Sequence, residues 1–308
     1  MALTNNIAVI FDFDYTLTKT VSEQPIFDFY NYDGEKFWDA VQKEYEKRIK
    51  ELKKRPRTGI FGPESTLCYE TTYSDVLVDY VQNGIFPGLT LDRLKELGKL
   101  IEFYEGVPEF MPELQEFMKN KEEWRKHNIN LEFYVISCAI REMIEGSKIA
   151  KYLTGLFATE FGENEKGISK VYHAISYNEK MKFIYKSNKG PDYDENDFVP
   201  YELRRIEKGN FMYIGDGQSD VPCFKAITKD MFGVALGVYS PDKQKAFTET
   251  YNLVKQGRVV ATCPADYRKG THLRRYLEQE ISEIADRIVR NIEEKISSRV
   301  IAKPSLKS

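Results

Sequence analysis

The sequence has few cysteines, and their spacing suits neither a disulfide framework nor a metal site. Four occur among 308 residues, with no Cys-x-x-Cys pair and no neighbouring histidine cluster. The four are Cys68, Cys138, Cys223 and Cys263. This pattern is typical of reduced thiols in an intracellular protein and argues against a secreted disulfide scaffold or a zinc site.

Long apolar runs and a strong net charge are also missing. No stretch approaches the roughly 20 apolar residues that span a bilayer, and residues 1–6 lack the basic and apolar regions of a secretory signal. The net charge of -3 gives no electrostatic reason to expect a nucleic acid partner. We therefore expect a cytoplasmic protein that binds neither nucleic acid nor membrane.

Short apolar runs that end in polar residues predict the strands of a parallel sheet. They lie at Ile7–Phe11, Leu131–Ile136 and Phe211–Ile214, with a shorter candidate at Phe232–Leu236. Runs that are apolar on both faces fit central strands covered by helices. Because helical patterns separate these runs, we expect an α/β fold with a Rossmann-like parallel sheet.

Helical periodicity dominates two other parts of the chain. Residues 19–104 contain three helical patterns, the third with Thr90 as its N-cap, and predict a smaller all-helical domain. Residues 271–300 carry one apolar stripe of a long amphipathic helix. The stripe lacks strict heptads, which favours packing on the chain's own core over a dimer seam. A monomer and a homodimer both stay open, and residues 302–308 read as a frayed tail.

Two pairs of acids follow predicted strands. Asp12 and Asp14 come directly after the first strand, and Asp216 and Asp220 follow Phe211–Ile214. Ligands of open α/β sheets bind beyond the carboxyl ends of the strands. Oxygen ligands without histidine or cysteine suit Mg²⁺. Either pair alone is also compatible with an ordinary turn rich in Asp and Gly.

A hydroxyl and a lysine complete the candidate site. Ser137 follows the strand at Leu131–Ile136 and opens into a predicted helix, where a hydroxyl can contact phosphate or simply cap the helix. Lys180 can neutralise a phosphoryl group. Lys182 competes for that role; we favour Lys180 because Phe183 and Ile184 then form the buried face after it.

In this order the segments resemble the motifs of the haloacid dehalogenase-like (HAD) phosphatase superfamily. Asp12-Phe13-Asp14-Tyr15-Thr16 matches the first motif, Ser137 the second, Lys180 the third and Gly215–Asp220 the fourth. The resemblance spans about residues 7–240. It implies a Rossmann-like core with the first strand central, formed by residues 1–18 and 105–270. It also implies a helical cap at 19–104, after which the turn at Gly106–Phe110 leads the chain back into the core. Residues 271–308 then form a helix and a tail that pack on the core.

The resemblance also implies a mechanism and a role for each residue. Asp12 is the nucleophile that forms an aspartyl-phosphate, and Asp14 is the general acid and base. Asp12, Asp216, Asp220 and the backbone carbonyl of Asp14 hold Mg²⁺, with Asp220 a direct or indirect ligand. The phosphate contacts come from Thr16, Ser137 and Lys180. An acid at position 14 favours phosphoryl chemistry over dehalogenation, because a halide leaving group needs no proton.

The predicted function is Mg²⁺-dependent hydrolysis of a small phosphorylated metabolite. A phosphotransferase or a nucleotidase of the same superfamily would use the same intermediate. A non-catalytic phosphate-binding protein is the third alternative, and it is disfavoured because every catalytic position is filled.

Overall fold

The structure, a computed structural model, describes residues 5–57 and 59–301. Within this part of the chain, seven strands form one sheet. They are β1 (Asn6–Phe11), β2 (Asn130–Ile140), β3 (Gly155–Asn164), β4 (Gly167–His173), β5 (Phe211–Gly215), β6 (Val234–Tyr239) and β7 (Ala261–Pro264). Their order is β4-β3-β2-β1-β5-β6-β7, and only β4 runs antiparallel to its neighbour. The predicted α/β class, with the first strand central, is confirmed.

Helices connect the strands and cover both faces of the sheet. They are α1 (Gln24–Phe29), α2 (Gly34–Lys53), α3 (Tyr69–Gln82), α4 (Leu91–Gly98), α5 (Phe110–Lys119), α6 (Glu122–Lys126), α7 (Arg141–Gly146), α8 (Lys180–Lys189), α9 (Val221–Lys225), α10 (Gln244–Lys255) and α11 (His272–Ile301). The side chains of β1 show the two-sided cover. Ile7, Val9 and Phe11 lie in one buried cluster, and Ala8 and Ile10 lie in a second on the opposite face.

The predicted helical block lies between β1 and β2, as α1 to α4. Thr90 caps α4 as expected, its Oγ1 accepting a hydrogen bond from the Arg93 N–H at 3.1 Å. The apolar side chains of this block belong to the same buried cluster as one face of the sheet. In addition, α3 contacts β4 and α4 contacts α7. The division into a cap at 19–104 and a core stays a prediction.

Two predictions about the middle of the chain need correction. The strand that was expected to end at Ile136 continues to Ile140, because its pairing with β3 resumes there after an irregularity (Ile140 opposite Thr159). The strand that was expected at Phe232–Leu236 is β6. It begins at Val234 and ends at Tyr239, two and three residues later than expected. The antiparallel hairpin of β3 and β4, and the edge strand β7, were not predicted.

The long C-terminal helix α11 packs on the chain's own core. Its stripe from Leu273 to Ile288 is buried in the same cluster as β1, whereas Ile296 is exposed. No helix within residues 5–57 and 59–301 combines the length and apolar character needed to cross a bilayer. The tail prediction for residues 302–308 lies outside the described residues.

Candidate functional site

Asp12 lies at the carboxyl end of the central strand. Its backbone N–H continues the sheet by donating to the carbonyl of Ile214 on β5 at 2.9 Å. The residue is 5% exposed, and its Oδ1 accepts a hydrogen bond from the N–H of Phe13 at 2.8 Å. Burial and the charge of Asp220 raise the pKa of Asp12 to about 6, although Lys180 opposes this shift. The carboxylate is therefore fixed in place at the sheet edge.

Asp14 is held two residues further along by the start of the helical block. The N–H of Ser22 donates to Asp14 Oδ1 at 2.9 Å, and the Ser22 hydroxyl lies 3.4 Å from Oδ2. Between them the chain turns sharply, and Tyr15 adopts a left-handed conformation with φ of 56°. Burial, Glu23 and Asp12 raise the pKa of Asp14 well above its ordinary value. This carboxyl group is suited to keep a proton and to donate it.

Lys180 joins the two halves of the site. It is the first residue of α8, is 1% exposed, and places its Nζ 2.9 Å from Asp12 Oδ1 and 3.0 Å from Asp220 Oδ1. Burial alone lowers the pKa of a lysine, but the carboxylates of Asp12 and Asp220 outweigh it and raise the pKa of Lys180 well above its ordinary value. The ammonium group therefore stays charged between two carboxylates. Lys182, the competing residue, lies outside this cluster.

Asp216 and Asp220 sit in the turn after β5. Asp220 is completely buried and accepts three hydrogen bonds, from Lys180 Nζ, from the Tyr213 hydroxyl at 2.7 Å and from the Asp216 N–H at 3.1 Å. Asp216 is partly exposed. Gly215 is required beside them, because a Cβ there would overlap the Asp220 carboxylate. Asp220 thus positions both Lys180 and the backbone of Asp216.

Asp12, Asp216 and Asp220 form a group that fits a divalent cation. One carboxylate oxygen from each lies within 4.8 Å of the others. Burial, with the charges of Asp220 and Asp12, raises the pKa of Asp216 well above its ordinary value. A cation among them would offset this repulsion, and three carboxylates are the hard oxygen donors that Mg²⁺ prefers.

Ser137 lies near the end of β2 and Thr16 follows β1, but the surroundings of both hydroxyls differ from expectation. Ser137 does not open a helix: β2 continues past it, and its Oγ accepts from the N–H of Ala139 at 3.2 Å. Thr16 is fully buried, and its Oγ1 has no hydrogen-bond partner. The carbonyl of Thr16 accepts from the Tyr267 hydroxyl at 2.8 Å. The phosphate contacts assigned to both hydroxyls stay predictions.

Two residues that organise the site were missed in the sequence. Tyr213 lies on β5 and looked like one more apolar strand residue, although its hydroxyl bonds to Asp220. Ser22 holds Asp14 from a segment with no motif of its own. Tyr213 stands in a continuous apolar run, which predicts that it is buried. A buried tyrosine hydroxyl usually has a hydrogen-bond partner, and this was an available signal.

Comparison with known proteins gives one clear relative and a shared fold. No family model matches the chain. It is 30% identical over 294 residues to an uncharacterized protein of Borreliella burgdorferi, which covers 90% of this chain and 97% of that protein. A HAD family hydrolase from Salmonella enterica subsp. enterica serovar Typhi superposes with a TM-score of 0.50 at 12% identity, covering 84% of this chain and 67% of the other.

A substrate-bound phosphoserine phosphatase superposes more weakly, with a TM-score of 0.45 and 17% identity over 82% of this chain and 98% of that one. The strand order, the acidic turns after β1 and β5 and the superposition on the Salmonella hydrolase agree on one architecture. The chain belongs to the same family as the Borreliella burgdorferi protein, and its fold is that of the haloacid dehalogenase-like superfamily.

Proposed function

We propose that this chain is a phosphatase that hydrolyses small phosphate monoesters with Asp12 as the nucleophile. The observation that carries the proposal is the buried arrangement of Asp12, Lys180 and Asp220, with Asp216 beside them. Lys180 and the Phe13 N–H both contact Asp12 Oδ1. A fixed carboxylate next to a permanent positive charge is suited to attack a phosphoryl group, because the cation offsets the charge of the incoming oxygens.

In the first step an Asp12 carboxylate oxygen forms a bond to phosphorus, and the bond from phosphorus to the alcohol oxygen breaks. The proton that the leaving alcohol requires comes from the Asp14 carboxyl group. Ser22 orients that group through its N–H and hydroxyl. Asp14 is then a carboxylate, and Asp12 carries the phosphoryl group as a mixed anhydride.

In the second step water attacks the phosphorus of the aspartyl-phosphate and transfers a proton to Asp14. The bond between phosphorus and the Asp12 oxygen breaks, so phosphate leaves and both carboxyl groups return to their starting states. Lys180 neutralises the phosphoryl oxygens in both steps. The hydroxyls of Ser137 and Thr16 are proposed to contact the same phosphoryl group. Asp220 holds Lys180 in place through a 3.0 Å hydrogen bond.

Mg²⁺ would be held by Asp12, Asp216 and the backbone carbonyl of Asp14. Bound there, it would neutralise phosphoryl charge and orient the substrate. Asp220 already accepts hydrogen bonds on both of its oxygens, so we assign it to supporting the site, with direct ligation as the alternative. A phosphotransferase would share the first step and differ only in the acceptor. Cytoplasmic location and oligomeric state stay predictions from the sequence.

Replacement of the nucleophile tests this proposal. Asp12→Asn keeps the shape of the side chain and removes its charge, so hydrolysis of p-nitrophenyl phosphate with Mg²⁺ should fall by about 10⁴-fold or more, since no covalent step is left. Asp79→Asn, an exposed position on α3, is the matched control and should keep wild-type kcat/KM. Full turnover by a cleanly prepared Asp12→Asn protein would show that the nucleophile is another group.

A further inference from the structure

A cavity of about 320 Å³ opens at the catalytic edge of the sheet, beside the turn that carries Asp216. Its walls include Asp216, Tyr15 from the turn after β1, and Ser240 and Lys243 from the loop between β6 and α10. That loop reaches the catalytic edge because β6 runs parallel to β5, so that both strands end there. Of these four residues, the proposed mechanism uses only Asp216.

Tyr15 connects the cavity with the place where the alcohol leaves. It directly follows Asp14, and its left-handed backbone, with φ of 56°, is uncommon for a residue with a bulky side chain. Burial is the main cause of the raised pKa of its phenol, followed by the charges of Asp14 and Asp216. The Tyr15 side chain therefore lies close to both carboxyl groups. An alcohol that takes its proton from Asp14 is thus released next to a wall of the cavity.

Lys243 supplies a positive charge that has no acidic partner. Its Nζ lies 5.1 Å from the centroid of the Tyr15 ring. Within the part of the chain whose side chains the structure describes, no carboxylate forms an ion pair with it. Lys245, which also lines the cavity, is paired with Glu249 at 3.8 Å. The contact with the aromatic face holds the Lys243 ammonium at the cavity and leaves its N–H groups for a ligand.

Tyr104 and Ser240 add two hydroxyl donors. Tyr104 is 6% exposed, and its hydroxyl makes no hydrogen bond of normal geometry to the described residues. Burial raises the pKa of Tyr104, the Ser240 side chain lowers it, and the charges of Asp216 and Asp242 raise it further. These effects place the Tyr104 hydroxyl next to Ser240 and near the turn after β5. A buried hydroxyl without a partner is costly, so this one is suited to donate to a bound group.

Carboxylates near the cavity are committed elsewhere. Glu249 lies opposite Lys245, and Asp216 belongs to the proposed cation site. Asp242 is exposed and does not line the cavity. The Lys243 ammonium and the two hydroxyls remain for a ligand. A neutral group would leave the ammonium unpaired and a cationic group would be repelled by it, whereas an anionic group can accept from all three donors.

We propose that this cavity is a subsite for a second anionic group, a carboxylate or a phosphate, on the alcohol part of the substrate. Lys243 is its main contact, and the hydroxyls of Ser240 and Tyr104 donate to it. The preferred substrates are then the phosphate monoesters of hydroxy acids, or of diols whose second hydroxyl is also phosphorylated. This inference rests on the proposed phosphatase function and specifies its substrate. The three residues set specificity, because the phosphoryl transfer itself occurs at Asp12.

Four substrates with the same three-carbon chain test the subsite in the full-length protein with Mg²⁺. n-Propyl phosphate ends in a methyl, 3-phosphooxypropanoate in a carboxylate, 1,3-propanediol bisphosphate in a second phosphate and 3-aminopropyl phosphate in an ammonium. We expect wild-type kcat/KM for the better anionic substrate to exceed that for propyl phosphate by about tenfold or more, since hydrogen bonds to charged groups contribute that much. The two anionic substrates together distinguish a carboxylate from a phosphate. Aminopropyl phosphate should be no better than propyl phosphate.

Substitutions link this preference to the cavity. Lys243→Met should reduce the ratio of kcat/KM for the better anionic substrate over propyl phosphate by about tenfold, whereas Lys243→Arg keeps the charge and should retain most of the ratio. Tyr104→Phe should reduce the ratio by about threefold or more without loss of stability, because its hydroxyl has no partner before substrate binds. Lys255→Met is the matched control: this exposed lysine ends α10, its Nζ lies 4.8 Å from the centroid of the Tyr251 ring, and its loss should leave the ratio unchanged.

The outcomes separate the subsite from the function. A wild-type ratio near one for both anionic substrates, or a ratio unchanged in a folded Lys243→Met protein, overturns the subsite. Asp12-dependent turnover of propyl phosphate in that case keeps the phosphatase function. Absence of Asp12-dependent turnover of all four substrates overturns the function and the subsite with it. The wild-type series decides the matter even if a variant fails to fold.

Discussion

At the scale of single residues, Lys180 is the group on which the site depends. Its ammonium lies between Asp12 and Asp220, both buried, at 2.9 and 3.0 Å. Lys182, two residues later, is on the helix surface, where its Nζ lies 3.6 Å from Glu179 and 3.9 Å from Glu195. Exposed pairs of that kind contribute little to stability, whereas removal of one partner from a buried pair leaves an uncompensated charge.

Matched substitutions of the two lysines should therefore differ sharply. Lys180→Met should lower the free energy of unfolding by about 3–5 kcal/mol, since Asp12 and Asp220 lose their buried cation. It should also reduce kcat by about 100-fold or more through loss of charge stabilisation. Lys182→Met should change unfolding by less than about 1 kcal/mol. Urea denaturation and steady-state kinetics measure both effects, and equal effects of the two substitutions would contradict the assignment.

The sequence identified acidic residues of the site better than their neutral partners. Asp12 and Asp216 stand after apolar strands, so the parallel topology that brings strand ends together was enough to predict that they meet. Tyr213 and Ser22 reach the site through side-chain and backbone hydrogen bonds that no local pattern encodes.

At the scale of elements, the contact between α4 and α7 joins the helical block to the sheet. Two glycines make it possible. A Cβ at Gly98 would overlap the carbonyl oxygen of Met143, and a Cβ at Gly146 would overlap the carbonyl oxygen of Lys95. The helix backbones therefore approach more closely than any side chain would allow.

Gly98→Ala should push α4 away from α7. Ala has a higher helix propensity than Gly, so the substitution would stabilise α4 if the new methyl group touched nothing. Because the methyl group overlaps the Met143 carbonyl, we expect the free energy of unfolding to fall instead, by about 1–3 kcal/mol. Lys99→Ala, at the exposed neighbouring position, is the control and should change stability by less than about 0.5 kcal/mol. Thermal and urea unfolding give the values. A stabilised Gly98→Ala protein would mean that the two helices do not pack as closely as described.

Helices with a regular spacing of apolar residues were predicted from the sequence. Strands whose position depends on pairing with another strand were not. The predicted helices correspond to α2, α3, α4 and α11, each with a clear apolar stripe. The hairpin of β3 and β4 carries a weaker signal, because β4 alternates between buried and exposed residues and lies at the sheet edge. The end of β2 was misplaced because Ser137 interrupts an apolar run that the strand nevertheless continues.

At the scale of the whole molecule, the carboxylates at the sheet edge make stability depend on a bound cation. Asp12 is distant in sequence from Asp216 and Asp220, and it meets them only in the folded state. Their burial and mutual repulsion disfavour that state. A ligand that binds only the folded protein stabilises it in proportion to the logarithm of its concentration.

Mg²⁺ should therefore raise the melting temperature of the wild-type protein. At a concentration of about 100 times Kd the expected stabilisation is about 2.7 kcal/mol. Asp216→Asn should be more stable than the wild type without Mg²⁺, because one repelling charge is gone, and should gain less on its addition. Asp79→Asn, away from the site, should respond as the wild type does. An equal Mg²⁺ shift in the wild type and in Asp216→Asn would place the ion elsewhere.

The most direct test of the account is to detect the phosphoryl group on Asp12. The enzyme is mixed with a phosphate monoester and Mg²⁺, quenched in acid within the first turnovers, digested and analysed by tandem mass spectrometry. The account predicts one phosphoryl group on the peptide that contains Asp12, localised to that residue and absent in Asp12→Asn. A wild-type enzyme that turns over in the same preparation yet shows the group on another residue, or on none, would contradict it.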